Sequence, residues 1–223
     1  MSEFLIGMLS SITATTVTLA VGWTVSRHMR HGLTRLLSRL TGLGVHRVYR
    51  RQRDAEWDVA ADIAAATWVR VLTGRGNALT REAFAPLWLG RSERVECTRI
   101  LLPDPDQNQD SWLQLREGDM CDADPGFATG LLSAQVRTNA SYLAEVARDR
   151  SDIELNYYDL PNTCRIIATD QAAYITFYRG RAHGRNSPCL YARRPGLMYE
   201  IALHLFDTAW RKSRPVQREG RSS

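Results

Sequence analysis

The sequence predicts an α/β domain, with a mixed sheet flanked by helices, carried behind an N-terminal transmembrane helix. Two observations point there. An uncharged run from Phe4 to Val25 is followed by an arginine segment free of acids, and the remainder alternates short apolar strands with helices.

The run is long enough to cross a hydrocarbon core, for which about 20 helical residues suffice. Beyond it come Arg27, Arg30, Arg35, Arg39, Arg47, Arg50, Arg51 and Arg53, and no acid appears before Asp54. A cleaved signal would carry its positive charge before the apolar stretch and a small-x-small site after it. Here only Glu3 precedes, and Trp23 to Ser26 offer no such site. The positive-inside rule then expects a single-pass protein of a bacterial inner membrane, N-terminus outside and C-terminal domain cytoplasmic. The alternative is a buried core helix. Gly7, Ser11, Thr15, Thr18 and Gly22 fall on one face of this helix. Such a stripe lets a partner helix approach closely; alternatively its hydroxyls bond back to their own helix carbonyls.

Leu33, Leu36, Leu37 and Leu40 recur at helical period with Arg35 and Arg39 among them, as in a helix lying along lipid headgroups. Gly42 and Gly44 end it. A second helix is expected from Val45 to Ala66. Thr67–Thr73 reads as a strand running into the loop Gly74-Arg75-Gly76-Asn77, with a helix beginning near Thr80. Cys97–Leu102 reads as a strand broken by Pro103 and Pro105, and Phe127–Arg148 as a long helix. Strands follow at Ile153–Tyr158, Thr163–Thr169, Ala172–Tyr178 and Cys189–Ala192, then an amphipathic helix Leu197–Lys212. The expected division is 1–25 N-terminus and span, 26–53 basic helical segment, 54–213 the domain, and 214–223 a disordered basic tail.

The chain of 223 residues carries a formal charge of +5. The excess sits beside the span and in the tail, so it reads as topology signal and contact with anionic headgroups rather than nucleic-acid binding. Lys212 is the only lysine, a bias that fits a GC-rich bacterial genome. The acids Asp104, Asp106 and Asp110, and again Glu117, Asp119, Asp122 and Asp124, lack the register of a calcium loop and read as solvated loops. Cys97, Cys121, Cys164 and Cys189 show no zinc spacing and are expected as reduced thiols. No metal and no cofactor are expected.

Gly74-Arg75-Gly76 sits between a strand and a helix, the setting of a phosphate-binding turn, but Leu79 stands where the dinucleotide fingerprint needs its last glycine. A tight turn without ligand is the alternative. No Gly-x-Ser-x-Gly, His-Glu-x-x-His or Walker sequence occurs, and His183 and His204 have no partner at a recognisable spacing.

The segment LNYYDLPNTCRIIATDQAAYITFY, strand-Pro-strand-Asp-strand, resembles the region of the phospholipase D superfamily that carries the His-x-Lys-x4-Asp motif. Asp170 takes the motif Asp, Arg165 the Lys position and Thr163 the His position. CTRILLPDPD and LFDTAWRKS extend the resemblance over most of Val45 to Arg214. The resemblance implies one half of a bilobal fold, with the phosphohistidine nucleophile lost. Thr163 has no nearby base to activate it. Arg165 keeps the geometry to hold a phosphate bidentately, with Thr163, Asp170, Arg75 and Asn77 as further candidates; alternatively Arg165 and Asp170 form a structural ion pair.

Three readings follow: a non-catalytic sensor or adaptor binding a phosphorylated ligand or protein partner, a divergent phosphodiesterase with an unrecognised nucleophile, or a structural assembly subunit. A homo-oligomer or a co-encoded protein is the expected partner.

Overall fold

A computed structural model describes residues 11–18, 22, 27–80, 84–88, 94–106, 111–161, 163–178 and 184–216. Helix α1 spans Arg27–Thr41, and strand β1 (Val45–Tyr49) follows it. Helix α2 (Glu56–Ala65) leads into β2 (Trp68–Leu72), and a short α3 (Ala85–Trp88) precedes β3 (Cys97–Pro103). Then come α4 (Trp112–Ala123), α5 (Leu131–Val146), β4 (Ile153–Tyr158), β5 (Cys164–Thr169), β6 (Ala172–Phe177), β7 (Cys189–Arg193), α6 (Leu197–Arg211) and β8 (Arg214–Pro215).

The strands form one eight-stranded sheet in the order β1-β7-β6-β5-β2-β3-β4-β8. β2, β3 and β4 run parallel, and the β5-β6-β7-β1 side is antiparallel throughout. Side chains alternate across the pleat, and each set meets a different layer. Val69, Val71, Ile100, Leu102 and Ile167 pack with residues of α2, α4 and α5. Leu72, Leu101, Ile166 and Ala168 pack with Tyr199, Ala202 and Phe206 of α6. Helices on both faces explain why β3 ends in the unbroken apolar run Ile100-Leu101-Leu102 rather than an alternating one.

Two expectations are corrected. The helix Val45–Ala66 is instead β1, a 3-10 turn Gln52–Ala55 and α2. Val45 and Tyr49 are buried while Val48 is open, and the strand pairs with β7 through Tyr49↔Cys189. The acidic stretch is not a solvated loop: Trp112–Ala123 is helical, with Ser111 accepting the Gln114 backbone N–H at its start. Buried Glu117 accepts the Leu132 and Ser133 amides at the first turn of α5, the position where a helix has unpaired N–H groups. With β1 and β8 included, the sheet also extends beyond 54–213 at both ends. The tail begins ordered, because Arg214 grips the buried Asp104 carboxylate.

Residues 11–18 are helical, but Gly7 and most of the run 4–25 lie outside the described residues. Among those described, no helix is long and apolar enough to cross a membrane. Thr15 and Thr18 donate to the carbonyls of Ser11 and Ala14, as in the back-bonding alternative, and a Cβ at Gly22 would meet nothing.

α1 is fixed to the domain at its C-terminal end. Gly44, at φ +71°, lies so close to Gly196 that a Cβ on it would fall 2.5 Å from the Gly196 Cα. Only glycine fits that backbone contact. Arg193, Leu197 and Met198 donate their amides to the carbonyls of Gly44, Gly42 and Leu43.

Candidate functional site

The C-terminal end of β2 opens onto a cavity of about 220 Å³. β2 ends at Leu72 and the chain turns through Thr73, Gly74, Arg75, Gly76 and Asn77 along its wall. Gly76 sits at φ +86°, and a Cβ there would lie 3.0 Å from Leu102 and 3.1 Å from Asn139. A side chain is therefore excluded twice, by conformation and by space. Asn139 on α5 holds the turn, donating to the Arg75 carbonyl at 2.8 Å and the Asn77 Oδ1 at 2.6 Å. Asn77 thus serves the loop's own architecture.

Antiparallel pairing of β5 with β2 places Ile166 beside Leu72, so Arg165 stands beside the start of this turn. Alternation turns its side chain to the α2/α4/α5 face, into the cavity. There its Nε and Nη1 are buried and have no acceptor among the described residues. Arg75 faces the same space. Its guanidinium meets the Gln135 Oε1 at 3.4 Å and the Met120 Sδ at 3.3 Å, with no carboxylate in reach among the described residues. Burial, and then the neighbouring Arg116, push its pKa down: the charged form is held in a positive, poorly solvated place. Arg116 on α4 and Arg185 complete four guanidiniums around the cavity. Glu56 is the only acid among the described lining residues, and it meets Arg185 at 3.8 Å. Trp112 and Tyr178 supply aromatic surface, and the Tyr178 hydroxyl accepts the Gly74 amide at 3.3 Å.

Of the residues singled out in sequence, the structure brings Arg165, Arg75 and Asn77 together at the cavity. Thr163 is exposed outside it, continuing the β5–β6 ladder by accepting the Tyr178 amide at 2.9 Å. Asp170 lies at the other end of β5, five residues from Arg165 and so roughly 16 Å along the strand. It accepts the Thr67 amide at 3.0 Å and the Gln171 side chain at 3.1 Å. An Arg165–Asp170 ion pair is therefore excluded. Arg116, Arg185, Trp112 and Tyr178 carried no spacing signal. No histidine lines the cavity among the described residues, and His183 lies outside them. The four cysteines are unbridged. Burial pushes Cys189 up to about 11 and also raises Cys164.

No family profile matches the chain, and no curated protein matches it. Among solved structures it is similar to Nuc, a phospholipase D family member from Salmonella typhimurium, at 15% identity and a TM-score of 0.45, over 77% of this chain and 98% of that one. It is similar to the phosphatidylserine synthase of Haemophilus influenzae at 13% identity and a TM-score of 0.48, over 72% of this chain and 36% of that one. A further match is TrmBL2, an archaeal chromatin protein, at 13% identity and a TM-score of 0.46, over 94% of this chain and 69% of that one. These are similarities of shape and carry nothing about chemistry. The chemistry rests on the residues around Arg165.

Proposed function

We propose that this chain is a membrane-tethered, non-catalytic module, a degenerate phospholipase D-like half-domain, that binds a phosphorylated ligand as a sensor or adaptor. One observation carries the binding part: Nε and Nη1 of Arg165 are buried without an acceptor among the described residues, in a cavity shared with Arg75, Arg116 and Arg185. A buried guanidinium N–H without an acceptor is costly, and an entering phosphate supplies acceptor and counter-charge together. The tether is supported by the uncharged run and the arginines after it. The absence of turnover is supported by Thr163, which is outside the cavity and has no base beside it in the motif.

The test uses the full chain in detergent or nanodiscs, since α1, β1 and the domain pack as one unit. Calorimetry with inorganic pyrophosphate should show binding. Arg165→Ala should weaken it by about ten- to a hundredfold, the equivalent of a lost charge-assisted bidentate contact of roughly 1.5–3 kcal/mol. Arg165→Lys should restore part of it, because an ammonium cannot reproduce the planar fork. Hydrolysis of a generic phosphodiester that survives Arg165→Ala would instead favour the divergent hydrolase. Unfolding of Arg165→Ala would favour a structural subunit.

A further inference from the structure

We propose that the outward faces of α1 and α6, with the guanidinium groove beside them, form a docking surface for an anionic phospholipid bilayer, which turns the phosphate cavity away from the lipid. The inference rests on the membrane-tether reading above and adds an orientation to it.

α1 is amphipathic the wrong way round for a helix packed on a water-soluble domain. Leu36, Leu37 and Leu40 are 57%, 54% and 77% exposed, whereas Ser38 is buried and accepts the Val45 amide. A helix on such a domain turns its apolar stripe inward. α6 does bury one stripe, Tyr199, Ala202, Phe206 and Ala209, but shows a second outward at Leu197, Ile201 and Leu205. The two outward surfaces meet at the corner where Leu197 and Met198 donate to the carbonyls of Gly42 and Leu43. Leu43 is itself open there.

Beside this ridge lies a groove of about 430 Å³ lined by Arg35, Arg39, His46 and Arg194, with no carboxylate among its described lining residues. His46 is held below its ordinary pKa by burial first and then by Arg35, Arg193 and Arg47, so the positive charge is that of the arginines. Along α1 there is no acid, and Glu200 is the one exposed acid flanking the α6 stripe. A second copy offering the same face would lack counter-charge for these arginines. A layer of anionic headgroups over acyl chains supplies both the charge and the apolar phase. Continuity favours the same occupant, because the uncharged run ends at the residue before Ser26, and α1 begins at Arg27.

The orientation follows from the pleat. Ile166 and Ala168 of β5 face α6, while Arg165 and Ile167 face the opposite layer. With α6 against the bilayer, the sheet stands between the lipid and the cavity, so the phosphate reaches Arg165 from solution rather than from a headgroup.

The experiment reconstitutes the full chain into vesicles containing a lipid with a photoactivatable acyl chain, and maps the adducts by mass spectrometry. Adducts are expected on peptides covering 33–43 and 197–205 and not on α5. Their yield should rise when anionic phosphatidylglycerol replaces neutral lipid. Combining Arg35→Gln, Arg39→Gln and Arg194→Gln should lower it by about tenfold, with pyrophosphate affinity unchanged. Adducts confined to residues before Arg27 would overturn the docking surface while leaving the tether intact. Extraction of the chain by alkaline carbonate would overturn the tether and the docking with it. Chain-to-chain cross-links through 197–205 in place of lipid adducts would assign the face to a second copy, and so overturn it. Competition between anionic lipid and pyrophosphate for Arg165 would overturn the orientation.

Discussion

Arg165 and Arg214 both lie at the rim of the sheet where its parallel strands end, yet they are treated in opposite ways. Arg214 closes on Asp104 with two N–H groups at 2.5 and 2.7 Å, meets Asp106 at 3.7 Å and rests over the Tyr157 ring at 5.0 Å. Arg165, on the same sheet, has two buried nitrogens, Nε and Nη1, with no acceptor among the described residues. A guanidinium that the fold needs is given its carboxylate by the fold. One that is left without an acceptor among the described residues, in a cavity ringed by three more, is the one on which the proposed anion binding rests.

The comparison breaks or holds on stability. Arg214→Ala should cost about 1.5–3 kcal/mol in urea unfolding, since it removes the two charge-assisted hydrogen bonds that Arg214 gives the Asp104 carboxylate, whose side chain is 2% exposed. Arg165→Met should move the other way, raising stability by about 1 kcal/mol as a partly buried guanidinium, two of whose nitrogens have no acceptor among the described residues, is replaced by an apolar side chain. Equal losses from both would make Arg165 a structural residue and end the distinction.

A smaller effect sharpens it within β5 itself. Asp170→Ala removes the acceptor of the Thr67 amide and should cost about 1 kcal/mol, with pyrophosphate affinity unchanged. A fall in affinity would mean that the two ends of the strand act together.

The smallest effect concerns a paired carboxylate far from the cavity. The Arg150 hydrogen bond holds the Asp152 carboxyl below its ordinary 3.8. The folded value is depressed, so the contribution is present above the unfolded value and is lost as pH falls through the folded one. Both side chains are about a quarter exposed, at 28% and 26%, so less than about 1 kcal/mol is involved. Asp152→Asn should be less stable than the parent at pH 7 and equal to it in strong acid, read by denaturant midpoint.

How much of this was legible depended on whether the pattern lay within one element. The strands β4 to β7 were readable to about a residue, because each is a compact apolar run bounded by turn residues. β1 was not, because VHRVY is a half-open edge strand inside an arginine stretch, and charged edges look like continuing helix. α4 escaped because Trp112, Leu113, Leu115 and Met120 do not share one stripe, and its buried acid caps a different helix. At the site, Arg165 and Arg75 were visible from strand and turn context. Arg116 and Arg185 come from a helix and a 3-10 turn that only the tertiary fold brings to the cavity. Asp170 failed as a partner for a simple reason: spacing along a strand separates residues, whereas along a helix it can reunite them.

The backbone contact between Gly44 and Gly196 gives the chain a mechanical character. With Cα against Cα and three amides clamped across the joint, α1 has no slack between its last turn and the first turn of α6. A twist applied to α1 would therefore load α6 and β7 first. From there it passes by the ladder into β6, whose Thr176 stands directly opposite Arg165. The segment behind the uncharged run is built as a bracket rather than a leash.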